Sequence, residues 1–283
     1  MAHSPRRSVA AIRRAFTGEH KQAAAEAVPR SSGHLGLDSR DPGQQQLRAL
    51  LALGVFNTGR LQRWPGMWGM GSLIHYDLVL SPRHDDLVLI TPTPSNVLPY
   101  LVPRRGRSMG LPGLRLQEAK ADAFVLRHLV TGARVTVTDR PPVPAFDADF
   151  EEGRRVWGMQ DGLTGHEQEA LADVPPMTDD ALALLSGLMS RIGLCDPNRR
   201  WALGNWFADP LDRPHAWNSV GRCLWGHGDR WELTWGSFPF HEDVAMALTD
   251  AQAGIAGAQA VQARRGWDVR LGGAVLALRA DKD

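Results

Sequence analysis

Apolar residues recur at helical spacing in several stretches of this chain and at strand spacing in others. Leu47, Leu50, Leu51 and Val55 line one face of Gln44–Phe56, a helix that Asn57-Thr58-Gly59 would end. Leu182, Leu185, Leu188, Met189 and Ile192 share a face of a second helix. Thr178 is its N-cap, Asp179 and Asp180 favour its positive end, and Gly193 and Pro197 mark its stop. Ser8–Phe16 and Glu19–Val28 read as two short helices broken at Thr17-Gly18. Glu242–Leu248 reads as another helix, and Asn96–Leu101 as a short one limited by Pro99.

Strand patterns occupy two regions. In the first, Leu73–Leu80 and Leu87–Ile90 flank a turn-like Ser81–Asp85, and Phe124–Leu129 and Arg134–Thr138 read as a hairpin around Thr131-Gly132. In the second, strands are expected at Arg222–Trp225, Arg230–Trp235, Asp268–Leu271 and Ala274–Arg279. The two regions overlay at a spacing of 144 residues. That shift carries Asp85 onto Asp229, Leu80 onto Leu224, Leu89 onto Leu233, and Gly110-Leu111-Pro112-Gly113 onto Gly254-Ile255-Ala256-Gly257. Each half would read hairpin, helix, glycine turn, then more strand.

The expected class is therefore α+β, with two ββαβ-like halves related by internal duplication. Residues 1–60 form a helical basic segment, 61–140 the first strand-rich half, 141–216 a linker and helical Trp-rich middle, and 217–283 the second half. The linker is marked by Pro141, Pro142 and Pro144, followed by Asp147, Asp149, Glu151 and Glu152.

Composition changes this picture in four ways. No run approaches the roughly 18 uninterrupted apolar residues of a membrane span, and no apolar stretch follows the N-terminal arginines as a secretory signal would require. With only Cys195 and Cys223, a disulfide framework is ruled out, so a reduced, cytoplasmic setting is expected. Ten tryptophans stand against two tyrosines, six of them between Trp201 and Trp235, a density that speaks for core or interface. The fourth change is charge. The whole chain is nearly neutral, yet residues 1–60 hold eight arginines and Lys21 against Glu19, Glu26, Asp38 and Asp41. A basic segment on a slightly acidic body suits an anionic partner such as nucleic acid.

Candidate chemistry is sparse. No lysine follows a glycine, which excludes a Walker-type phosphate loop, and no G-x-S-x-G elbow occurs. His166-Glu167 and His241-Glu242 begin like zinc-protease helices, but Ala170 and Ala245 stand where the second histidine is needed. Gly71-Ser72 with Asp85-Asp86 lacks the alternate carboxylate of a nucleotidyltransferase. Cys195, His215, Cys223 and His227 have the chemistry of a tetrahedral zinc site, without its usual spacing. Glu118-Ala119-Lys120 has the acidic-x-Lys spacing of Mg²⁺-dependent nucleases, with Asp77 as the second carboxylate to hold a hard cation against a phosphoryl group.

The reading favoured by the sequence is a non-catalytic binding or assembly protein without a cofactor. Its partner would be nucleic acid or protein, or a copy of itself. Arg6, Arg7, Arg13 and Arg14, with Arg104, Arg105 and Arg107 in a second loop, are the candidate phosphate contacts, and exposed tryptophans would stack bases. A Mg²⁺-dependent nuclease built on Asp77, Glu118 and Lys120 is the alternative.

Overall fold

In a computed structural model, residues 5–29, 34–57, 68–70, 73, 78–103, 110–120, 123–139, 162–204, 206, 209–214, 221–236 and 238–280 are described. Among them are seven helices and ten strands in two five-stranded mixed sheets, which confirms the α+β class. An N-terminal pair, α1 (Pro5–Thr17) and α2 (Lys21–Ala27), precedes α3 (Pro42–Val55). The first half follows: β1 (Val79–Pro82), β2 (Asp86–Ile90), α4 (Pro94–Leu101), β3 (Leu114–Lys120), β4 (Ala123–His128) and β5 (Arg134–Thr138). Then come α5 (Gly165–Ala172), α6 (Asp179–Arg191) and the second half: β6 (Arg222–His227), β7 (Arg230–Trp235), α7 (His241–Thr249), β8 (Gln259–Ala263), β9 (Gly266–Leu271) and β10 (Ala274–Ala280).

The sheets share one topology. Their strand orders are β1-β2-β5-β4-β3 and β6-β7-β10-β9-β8, with one parallel pair in each, β2 on β5 and β7 on β10. The likeness extends to single hydrogen bonds. Leu111 N–H donates to the carbonyl of Leu101 at 2.8 Å, and Ile255 N–H donates to that of Leu248 at 2.8 Å. The turn that follows closes from Leu114 N–H to Leu111, and from Ala258 N–H to Ile255. Gly113 and Gly257 both take φ near +80°, a conformation that disfavours any side chain. The spacing of 144 thus holds at the turns from Leu111 to Leu114 and Ile255 to Ala258, while the carbonyls that precede them, Leu101 and Leu248, stand 147 apart.

Helices α3 and α6 each lead into one half and pack along each other at the centre. Asp41 accepts from Gly43 and Gln44 N–H at the start of α3, and Thr178 accepts from Ala181 N–H at the start of α6. One continuous apolar core, from Leu47 and Leu51 to Leu233 and Leu276, runs through both halves. The halves differ on their outer faces. Helix α2 lays Ala23 against Val88 and Ile90 of the first sheet. At the 144-residue spacing, the second sheet carries Glu232 and Thr234 there, both half-buried, and no helix among the described residues packs on them as α2 does.

Three buried arginines fasten the segment 34–39 between the halves. Arg13 holds Glu19 with two charge-assisted bonds and donates to the carbonyls of Leu35 and Pro82. Arg48 donates to the carbonyls of Leu37, Arg83 and Asp86 and to Ser190 Oγ. Arg191 grips Asp38 through both terminal nitrogens and reaches the carbonyls of Ala253 and Gly254.

Several boundaries differ from the sequence expectation. The first strand is Val79–Pro82, so the turn is Arg83–Asp85; residues 74–77 of the expected strand lie outside the described residues. Strands β3 and β8 were not foreseen, because each is a sheet edge with no clean alternation of apolar and polar residues. Helix α5 was also missed, although Thr164 and Glu167 form a reciprocal capping box at its start.

Candidate functional site

The basic candidates separate. Arg6, Arg7 and Arg14 are exposed on α1, and Arg6 donates to the carbonyl of Ala25 at 2.6 Å. Arg13 is a correction: it lies on the buried face of the same helix, with no exposed surface and its donors committed to Glu19 and two carbonyls. It has no way to reach a phosphate. Arg104, Arg105 and Arg107 lie outside the described residues. Of the described tryptophans, Trp68, Trp201, Trp206, Trp231 and Trp235 are buried and Trp225 alone is exposed, at 37%; Trp64, Trp157 and Trp217 lie outside the described residues. Three indole N–H groups serve the fold, Trp206 donating to the carbonyl of Ile192, Trp231 to that of Gly228 and Trp235 to that of Pro239.

The zinc quartet does not converge. Cys223 is buried near the start of β6 and His227 is exposed at its far end, four residues or about 13 Å along an extended strand. One ion with bonds of about 2.0–2.3 Å would not span that distance. Cys195 is half-buried, paired in a bridge with Ala202; burial, and then the neighbouring Asp196, push its thiol up. His215 lies outside the described residues, among which no group of three metal-ligating side chains occurs. Of the nuclease candidates, Glu118 and Lys120 do lie on one strand, β3, with Glu118 half-buried and Lys120 exposed. Asp77 lies outside the described residues.

What the structure assembles instead is an apolar groove of about 450 Å³ where α3, α5, the start of α6 and the β4–β5 connection come together. Leu50 of α3 and Leu182 of α6 form its floor, and Leu171 of α5 with Val174 and Met177 forms one wall. The opposite rim is the β4–β5 connection. There Leu129 is 39% and Val130 56% exposed. The equivalent connection in the second half, between the paired residues Leu271 and Ala274, is only Gly272-Gly273. The first half uses four residues, Leu129 to Gly132, between His128 and Ala133. The longer turn adds apolar side chains at a tip where turn chemistry favours polar ones.

Both sides of the groove are held rigidly. His128, beneath the rim, donates from Nε2 to the carbonyl of Pro112 at 2.9 Å and accepts the Thr131 N–H at Nδ1, a tautomer assigned from these partners. Burial pushes its imidazole pKa down, so it stands neutral. Glu167 anchors α5 by accepting from Gly113 N–H at 2.8 Å, Thr164 N–H at 2.9 Å and both terminal nitrogens of Arg115 at 2.7 Å. Burial alone would raise its carboxyl, but Arg115 and the two backbone donors hold it down to about 2. These polar groups are saturated by structural partners, which leaves the groove an apolar surface to offer.

Comparison with family models, curated proteins and solved structures gives no match to this chain.

The groove residues were not singled out from the sequence. The signal was there in Leu129-Val130, two aliphatics inside a hairpin turn, but nothing local ties them to Leu171 or Met177.

Proposed function

We propose that this chain is a non-catalytic binding and assembly protein whose protein partner seats an apolar side chain in the groove rimmed by Val130. The observation that carries this reading is the exposed aliphatic turn beside a half-buried apolar wall, in a place where the other half of the fold has Gly-Gly. A cleft of this size, lined mainly by aliphatic side chains with a few fixed polar groups, is the usual form of a preformed binding site. The fold supports it, because α3, α5 and α6 hold the walls without requiring the partner to order them, which lowers the entropic cost of association.

The test uses anilinonaphthalene sulfonate as a probe of the groove in the folded chain. Saturable binding is expected, weakened roughly tenfold by Val130→Asp, about the value of one buried aliphatic contact. Val130 is mostly exposed, so the substitution should leave thermal stability almost unchanged. Equal dye binding by wild type and Val130→Asp would refute the groove as the docking place.

A nucleic-acid partner has one favouring observation, the exposure of Arg7 and Arg14 two turns apart on α1. Charge reversal of both should lower affinity for a labelled duplex DNA and reduce its salt slope by about two. An unchanged slope removes that reading.

A further inference from the structure

We propose that two copies of this chain pair edge to edge through β8, joining their second sheets into one ten-stranded sheet. This goes beyond the groove reading and rests on different residues.

Each sheet has two edges, and unpaired strand edges are normally blocked by charges, proline, bulges or covering elements. Three of the four are blocked here. Strand β1 is four residues long, contains Pro82, and lies under α1 and α2. Strand β3 carries Arg115, Glu118 and Lys120, is bulged between Leu116 and Glu118, and is clamped to α5 through Arg115 and Glu167. Strand β6 is closed by Asn57, whose amide donates to the carbonyl of Leu224 at 2.8 Å and accepts its N–H at 3.1 Å.

Among the described residues, strand β8 has none of these devices. It occupies in the second sheet the position β3 occupies in the first, yet it reads Gln259-Ala260-Val261-Gln262-Ala263, without charge, proline or bulge. Val261 is 40% exposed on it. The two-residue turn Arg264-Arg265 makes Ala263 and Gly266 the closing hydrogen-bonded pair with β9, and alternation then directs the N–H and C=O of Ala260 and Gln262 outward.

That pattern is complementary to itself. An antiparallel approach about a two-fold axis at Val261 sets Ala260 opposite Gln262 of the second copy and Gln262 opposite its Ala260, each pair exchanging two backbone hydrogen bonds. Val261 then meets its own copy in the non-hydrogen-bonded position, where side chains come closest. Gln259 falls opposite Ala263. Arg264 and Arg265 fall opposite Ala258 and Gly257, so no charge meets its like across the junction. On the neighbouring strand, Asp268 is already paired with Arg279. A contact of this size gives a weak, reversible, two-fold dimer.

Sedimentation equilibrium of the full chain tests this. A monomer–dimer equilibrium is expected, weakened at least roughly tenfold by Gln262→Pro, which removes an outward N–H that β9 does not use, and by Val261→Lys, which opposes two ammonium groups. Circular dichroism should show both variants folded. Should Gln262→Pro unfold the chain, Val261→Lys alone decides. A monomer at every concentration from about 1 µM to about 1 mM, or a dimer untouched by Val261→Lys, would overturn the proposal. Val130→Asp should leave the dimer intact: loss of dimer with Val130-dependent dye binding retained sinks only the β8 pairing, and the reverse pattern sinks only the groove.

Discussion

Arg13→Ala is expected to destabilise the chain by about 3–5 kcal/mol, the usual cost of leaving one member of a buried ion pair alone. Glu19 is 1% exposed and accepts two bonds from Arg13, at 2.6 and 2.8 Å, and the carbonyls of Leu35 and Pro82 lose a donor at the same stroke. The measurement is urea unfolding of wild type, Arg13→Ala, Glu19→Gln and the double variant. The coupling energy should be large, because each single change strands the other partner, whereas the double change removes both charges. A loss below about 1 kcal/mol for Arg13→Ala, the range of an exposed pair, would mean that Arg13 is solvated and α1 is not docked as described.

Acid should loosen α5 progressively below the ordinary carboxyl range, with Glu167 in the folded chain protonated later than most other carboxylates. The Glu167 carboxyl has a folded pKa of about 2 against the ordinary 4.5, so its charged form is what the fold binds. Its contribution is complete above pH 4.5 and falls away as pH drops from there towards 2. The shift corresponds to about 3 kcal/mol. His128 and His241 work in the same sense at higher pH. Burial pushes both imidazoles below their ordinary 6.5, so the unfolded chain takes up protons first as pH falls through that value. Thermal midpoints of wild type and Glu167→Gln measured from pH 7 to pH 2 should converge at the acid end. Parallel curves throughout would show that Glu167 carries no proton-linked stability.

How far the fold was legible depended on how locally each element is specified. Helix α6 and strand β7 were readable nearly to the residue, since Thr178 caps the one and the alternation Trp231, Leu233, Trp235 patterns the other. The repeat was readable through Gly113 and Gly257, because a positive φ restricts residue choice at both places. Strands β3 and β8 were not, since an edge strand gains its partner from one side only and need not alternate. The basic helix misled for a related reason. Charge counts cannot say which arginine turns inward, and only the Glu19 carboxylate and the carbonyls of Leu35 and Pro82, brought together by the fold, put Arg13 inside and Arg14 outside.

By itself, then, the amino-acid order determined the class, the repeated order of elements and the stretches capable of an apolar face, because these follow from dihedral preference and periodicity over a few residues. Only the tertiary structure decided which polar groups converge. It separated Cys223 from His227 along one strand, spent Arg13, Arg48 and Arg191 on holding the segment between the halves, and brought Val130 to face Leu171 across a groove. Such meetings join residues far apart in the chain, and burial of the common core is what sets their distances.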